Sequence, residues 1–154
     1  MYPTLLLLHS FTRWAVLLLM VYSLYRAAVG LTKNRPFTKT DNGFRHWTAT
    51  AAHIQLMIGM LLYTQSPLVA SFWHDPPAAV HDLSLTFYGL IHLLLMVAAI
   101  VILTIGSAMA KRKSTDREKF RIMLIWFSIA LLLIFIAIPW PFSPLSGRPY
   151  LRTF

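Results

Sequence analysis

The chain has 154 residues, of which 57% are hydrophobic and only 12% are charged, and its mean hydropathy is +0.61. Soluble globular domains are about 45–50% apolar and about 25% charged, so this composition excludes an ordinary soluble domain and indicates a membrane protein. The absence of cysteine excludes disulfides, iron–sulfur clusters and covalently attached c-type haem.

Four stretches of the chain are apolar over the roughly 20 residues that a helix needs to cross about 30 Å of hydrocarbon. We predict an all-α membrane protein with four transmembrane helices in an up-down bundle, forming a single domain over residues 1–154. The first stretch lacks a basic segment and a small-residue cleavage site, so we do not expect a removable signal peptide. The predicted spans are, in chain order, about 4–27, 46–66, 84–109 and 120–138.

The connections between these spans differ in charge. Five basic residues lie at the first connection and six at the third, whereas residues 66–82 contain two acids and no Lys or Arg. The positive-inside rule therefore predicts that the first and third connections face the cytoplasm, with both termini on the external side. The net charge of +9 then indicates topology and contact with anionic membrane lipids, and not a nucleic-acid partner.

Short polar and proline-containing segments predict where the helices start and stop. Residues 40–43 (TDNG) have the composition of a turn and of a helix cap. The hydroxyl of Ser114 or Thr115 is suited to cap the fourth helix, because it accepts hydrogen bonds from free backbone amides. Pro67 and Pro139 each follow a predicted span and are expected to end it, because proline lacks an amide hydrogen.

Arg13 is the only charged residue of the first 25. A guanidinium stays protonated and is costly at membrane depth, so it needs an anionic partner. The spans contain no acid that would serve. The alternatives are Asp75 or Asp82 from the external connection, a lipid phosphate, or a carboxylate of a bound ligand.

Three histidines lie inside the predicted spans. At 1.5 Å per residue, His9 and His92 lie about 9 Å and about 6 Å to the external side of the midplane, and His53 about 4 Å to the cytoplasmic side. His9 and His92 therefore match in depth, as two axial ligands of one haem must. Gly89, one turn before His92, would let a flat macrocycle approach, and Arg13, one turn from His9, would reach a haem propionate.

Other readings of these residues stay open. His53 begins a stripe with Met57 and Met60 that is compatible with haem or copper ligation, and His53 is an alternate partner for His92 if the helices are offset. Methionine is more often an adaptable core residue. Any single intramembrane histidine is also suited to an ordinary interhelical hydrogen bond.

Other kinds of site have less support. The pairs 74–75 and 81–82, each His-Asp, are compatible with a metal site, but Asp near Pro is more typical of turns and helix caps. We find no phosphate-binding loop, no activated nucleophile and no paired carboxylates. An electron carrier or a subunit is therefore expected, and not a stand-alone enzyme.

Four short motifs of the chain are similar, as a set, to those of a known protein family. Together they resemble a family of small bacterial inner-membrane proteins usually labelled cytochrome b, and the resemblance covers nearly the whole chain. The resemblance implies noncovalent haem b and electron transport. His9, His53 and His92 fall at positions where the family also has histidine. The motifs are residues 9–14 (HSFTRW), 35–38 (RPFT) with Asp41 and Asn42, 52–56 (AHIQL) and 138–141 (IPWP).

The expected function is therefore a membrane cytochrome b-like protein with one haem b. Two of His9, His92 and His53 would bind the iron, and Arg13 would contact a propionate. Because the fourth span has no histidine, the sequence supports one haem at most. The haem would pass single electrons between a quinol or respiratory-complex partner and an acceptor. The alternative is a haem-free accessory or structural subunit of a larger inner-membrane complex, with Gln55 among the residues that hold its helices together.

Overall fold

The computed structural model describes residues 1–144, which are 85% helical and contain no β-strand. The fold is thus all-α, as predicted. The single domain predicted over residues 1–154 includes residues 145–154, which lie outside the described residues. The helices are α1 (Tyr2–Thr32), α2 (Lys39–Gln65), α3 (Pro67–His74), α4 (Pro76–Ala79), α5 (Leu83–Thr86), α6 (His92–Arg112) and α7 (Asp116–Ala137), with a π-helical turn at Phe87–Ile91.

Three helical stretches of the described chain are long and apolar enough to cross a membrane: α1, the continuous stretch Leu83–Arg112, and α7. Helix α2 passes the same test only together with α3, and the two are bent by 59°. The count is therefore three, or four if α2 and α3 form one span. This confirms a multi-pass helical membrane protein.

The long helices are arranged in an antiparallel ring. Helix α1 packs on α2 and α7, and α6 packs on the same two helices. Arg26 near the end of α1 contacts Asp41 near the start of α2, and His92 at the start of α6 contacts Ala137 at the end of α7. Each neighbour in the ring thus runs opposite to the next. We call the end with connections 33–38 and 113–115 the basic end, and the end with residues 66–82 the capped end.

Several predicted helix boundaries are confirmed. Helix α2 ends at Gln65, two residues before Pro67. Helix α7 ends at Ala137, shortly before Pro139. At the start of α7, the Thr115 side chain accepts a hydrogen bond of 3.3 Å from the backbone amide of Glu118. Proline and hydroxyl caps therefore act here as the sequence indicates.

The predicted start of the second helix is wrong. Helix α2 begins at Lys39, so residues 40–43 lie in its first turns and do not form a separate turn, whereas the cap chemistry predicted there is confirmed at Asp41. Thr38 is the N-cap: its hydroxyl accepts from the Asp41 amide at 3.3 Å, and the Asp41 carboxylate accepts from the Thr38 amide at 2.9 Å. This reciprocal pair is a capping box, which fixes the first turn of the helix.

The same carboxylate joins three segments at the basic end. Asp41 is fully buried and accepts a bond of 2.7 Å from Arg26 Nε and two bonds of 2.8 Å from the Arg35 guanidinium. These hydrogen bonds raise the pKa of Arg35. We call Asp41, Arg26, Arg35 and Thr38 the Asp41 cluster; it ties α1, the first connection and α2 together.

A buried cation joins α2 to α6. The guanidinium of Arg45 donates to the Ser107 carbonyl at 3.0 Å and to the Ser107 hydroxyl at 2.6 Å. Its Nε donates to Asn42 Oδ1 at 3.0 Å. A buried charge is tolerated when its donors are satisfied in this way. The basic end is thus held by two polar networks.

Candidate functional site

His9 and His92 face each other inside the bundle. The centroids of their imidazole rings are 6.4 Å apart and the rings are inclined by 72°. Both side chains line a cavity of about 190 Å³ near the capped end. The structure therefore brings together the two histidines that helix rise places at similar depth.

The cavity walls are mostly apolar and come from α1, α2, α3, the π-helical turn and the helices that follow. A few polar side chains converge among leucines, methionines and valines, which is a common composition for a ligand site. The polar and aromatic-hydroxyl side chains that line it are Tyr2, His9, Ser10, Arg13, Gln55, Tyr63, Ser66, Tyr88 and His92.

The ring of His92 is oriented by a backbone carbonyl. Its Nδ1 lies 2.8 Å from the carbonyl oxygen of Ala137. A carbonyl only accepts, so Nδ1 carries the hydrogen and Nε2 of the neutral ring keeps its lone pair. Metal-binding histidines commonly have such a bond on the nitrogen away from the metal. His92 is thus oriented as a ligand would be.

His9 is oriented by the next helix. Gln55 Nε2 lies 2.9 Å from the carbonyl oxygen of His9 and 3.2 Å from its Nδ1, while the Thr12 hydroxyl contacts Gln55 Oε1. A Cβ atom at Gly59 would lie 3.1 Å from His9 Cε1. The absence of a side chain at Gly59 therefore leaves the room that the imidazole occupies.

Arg13 brings positive charge to the same cavity. Its guanidinium lies 5.5 Å from the ring centroid of Trp14, and its side chain lines the same cavity as His9, His92 and Tyr88. A cation beside an apolar cavity favours a ligand that carries an anionic group.

The two acids considered as partners of Arg13 serve as helix caps. Asp75 accepts from the Ala78 amide at 3.3 Å, and Asp82 accepts from the Leu85 amide at 3.0 Å. This confirms the reading of these residues as cap chemistry. Within residues 1–144, no group of three or more His, Asp or Glu side chains is arranged to hold a metal ion.

The π-helical turn Phe87–Ile91 places Tyr88 and His92 on the cavity. The carbonyl of Gly89 in this turn accepts a bond of 2.7 Å from the Tyr63 hydroxyl, which itself accepts from Trp73 Nε1 at 2.7 Å. The face of Gly89 is covered by the buried ring of Phe72. The prediction that Gly89 makes room for a macrocycle is therefore wrong, because α3 fills that space.

His53 lies outside the cavity of His9 and His92. It is exposed on the bundle surface, with Nδ1 at 2.7 Å from the Ala49 carbonyl and Nε2 at 3.2 Å from the Thr104 hydroxyl. It lines a separate hollow between α2 and α6. Met57 and Met60 are exposed as well, and of these two only Met60 lines the cavity of His9 and His92. The proposed His53, Met57 and Met60 stripe thus does not form one ligand set.

Two features of the site were not predicted. Gln55 was recognised only as a polar residue that holds helices together, although it orients His9. The contacts of Tyr63 and Trp73 with the π-helical turn have no local sequence signal, because a π-helical turn is set by tertiary packing. Gln55 was detectable as an amide within an apolar span.

Comparison with known proteins adds no family to this picture. No protein family, curated protein or solved structure matches the chain. The resemblance to the cytochrome b family therefore remains a prediction from motifs, and the site carries the functional argument.

Proposed function

We propose that the chain is a cytochrome b-like protein of the bacterial inner membrane. It crosses the membrane four times, with α2 and α3 as one bent span and both termini on the periplasmic side. It binds one noncovalent haem b in the cavity of His9 and His92 and takes part in single-electron transport. The excess of basic residues at the basic end supports this orientation.

The separation of the two imidazoles is the observation that carries the haem proposal. An imidazole nitrogen lies about 2 Å from a metal that it binds and about 1 Å from its own ring centre, so two rings on opposite sides of one metal have centroids about 6 Å apart. The observed separation is 6.4 Å. The spacing of His9 and His92 is therefore compatible with one iron between them and supports the proposal.

In this proposal the other lining residues would surround the haem. Arg13 would pair with a propionate, and the apolar walls would exclude water. The cavity of about 190 Å³ is smaller than the roughly 300–1,000 Å³ of sites for larger small molecules. We expect flexible lining residues, chiefly Met60 and Met96, to move when the porphyrin enters.

A bound haem would supply the one-electron chemistry, and the protein would set its potential. Axial ligation, burial and the hydrogen bond on His92 are the means by which a protein adjusts that potential. The electron partner that suits an intramembrane site of this kind is a membrane-soluble quinol or a neighbouring respiratory complex. Anionic lipids would contact the basic end.

The direct test is expression of the full chain with ample haem, followed by a reduced-minus-oxidised absorption spectrum of the purified protein. We expect a b-type spectrum that is lost in His92→Ala. His53→Ala is the matched control, because it removes an imidazole from another face of the same bundle, and it should keep the pigment. A colourless protein that co-purifies stoichiometrically with a larger complex would instead support the accessory-subunit alternative.

The absence of cysteine makes the orientation easy to test. Single substitutions Asn34→Cys and His81→Cys place one thiol at each end of the bundle. In intact spheroplasts, a membrane-impermeant maleimide should label the second variant and not the first. The opposite pattern would show that the proposed topology is inverted.

A further inference from the structure

We propose that Gln55 holds His9 as an Nε2–H hydrogen-bond donor, so that His92 alone is prepared to bind a metal and Gln55 controls whether His9 becomes the second ligand. The claim about the haem rests on the proposed function. The claim about the hydrogen on His9 does not, because it follows from the protein's own hydrogen bonds.

The orientation of the Gln55 amide decides the argument. Its Nε2 lies 2.9 Å from the carbonyl oxygen of His9. Turning the amide over would place Oε1 against that carbonyl, and two acceptors would meet without a hydrogen between them. The Thr12 hydroxyl also contacts the Gln55 amide, but it lies 2.8 Å from the Leu8 carbonyl as well and can donate or accept, so the His9 carbonyl alone fixes the orientation.

The position of the hydrogen on His9 follows from this orientation. The second hydrogen of the Gln55 amide points to Nδ1 of His9, at 3.2 Å. Nδ1 must therefore be the acceptor, and the neutral ring carries its hydrogen on Nε2. A ring nitrogen that bears a hydrogen has no lone pair for a metal.

The two facing histidines are therefore not equivalent. His92 gives its Nδ1 hydrogen to Ala137 and keeps a free lone pair on Nε2, whereas His9 has a hydrogen at that position. One side of the cavity thus offers a ligand and the other a donor. With haem bound to His92, a His9 ring that keeps its Nε2 hydrogen could not stay at a centroid separation of 6.4 Å, so it would move aside and leave His92 as the one histidine ligand. His9 would become a ligand only if the Gln55 amide turned over.

The first experiment needs no haem. The full chain is labelled with ¹⁵N-histidine, placed in lipid nanodiscs, and the ring nitrogen shifts are recorded, with His9→Ala used to assign the His9 signals among the six histidines. We expect the Nε2–H form for His9. A carboxylate accepts from Nδ1–H, so Gln55→Glu should shift His9 to the Nδ1–H form. Finding the Nδ1–H form in the wild-type protein would overturn the proposal.

The second experiment uses the haem-loaded protein. We expect a high-spin, five-coordinate spectrum in the wild type and in His9→Ala, and a change to a low-spin, six-coordinate spectrum in Gln55→Glu. Gln65→Glu is the control, because it adds the same charge to the same helix outside the cavity, and it should leave the spectrum unchanged.

The outcomes separate the two proposals. A low-spin wild-type spectrum that is lost in His9→Ala would overturn the role of Gln55 while leaving haem binding intact. Failure of every variant to bind haem, with His9 still in the Nε2–H form, would overturn the proposed function alone. If Gln55→Glu does not fold, the wild-type shifts and the His9→Ala spectrum still decide the matter.

Discussion

Replacing Gly89 by alanine tests whether the π-helical turn is locked by α3. A methyl group at Gly89 would lie 2.7 Å from Phe72 Cβ, whereas carbon atoms in ordinary contact are about 3.5–4.0 Å apart. Rotation of the Phe72 side chain does not move its Cβ atom, so it cannot relieve this contact. The backbone of α3 or of the turn must therefore shift by about 1 Å to relieve the contact.

The expected cost follows from two opposing terms. Overpacking a filled core costs about 1–3 kcal/mol, and replacing glycine by alanine within a helix contributes about 0.5–1 kcal/mol in the favourable direction. Gly43→Ala in α2 is the matched control, because nothing lies within 4 Å of its added Cβ. It carries only the favourable term. Gly89→Ala should therefore be about 1–3 kcal/mol less stable than Gly43→Ala.

The assay is thermal unfolding of the two variants in the same detergent. For a chain of this size 1 kcal/mol corresponds to a shift in Tm of roughly 2–4 °C. We expect Gly43→Ala at or above the wild-type Tm and Gly89→Ala several degrees below it. Because the turn leads directly into His92, the second variant should also retain less haem. Equal Tm values for the two variants would refute the close packing of Phe72 on this turn.

Two further changes probe the basic end and the His9 pocket. Asp41→Ala leaves two partly exposed guanidiniums without their carboxylate and should lower the free energy of unfolding by about 3 kcal/mol. The control is Asp116→Ala, which removes an exposed carboxylate 3.8 Å from a lysine and should lower that free energy by less than about 1 kcal/mol. Equal shifts in Tm for the two variants would contradict the role of Asp41. Gly59→Ala should push the His9 ring by a few tenths of an ångström. We expect haem binding to weaken by roughly tenfold, which corresponds to about 1.4 kcal/mol, and a haem titration measures this. An unchanged haem affinity would count against the position of His9.

The sequence predicts the apolar parts of this fold better than its polar ends. Apolar length and proline stops locate the ends of α2 and α7, because both act locally. The start of α2 is missed because Thr38 and Asp41 cap the helix only in combination. The Asp41 cluster needs Arg26 and Arg35 from other segments, and hydropathy does not show that these charges lie together.

The candidate site is also predicted by the sequence only in part. Depth follows from helix rise, so the meeting of His9 and His92 was within reach of the sequence. The sequence does not show which residues of α2 point into the bundle. His53 and Gln55 are two residues apart, about 200° around the helix, and therefore face nearly opposite sides. Once Gln55 contacts His9, His53 has to face away from the cavity, and only the packing of α1 on α2 decides which of the two points inward.

The two ends of the bundle thus differ in construction, and the difference suits a ligand-binding role. The basic end is fixed by charged hydrogen bonds around Asp41 and Arg45, which are specific in direction and costly to break. The capped end holds a cavity whose lining includes Met60 and Met96, and flexible methionines of that kind tolerate rearrangement. A ligand that enters between His9 and His92 can therefore displace side chains at the capped end, while the helices stay in register through the networks at the other end.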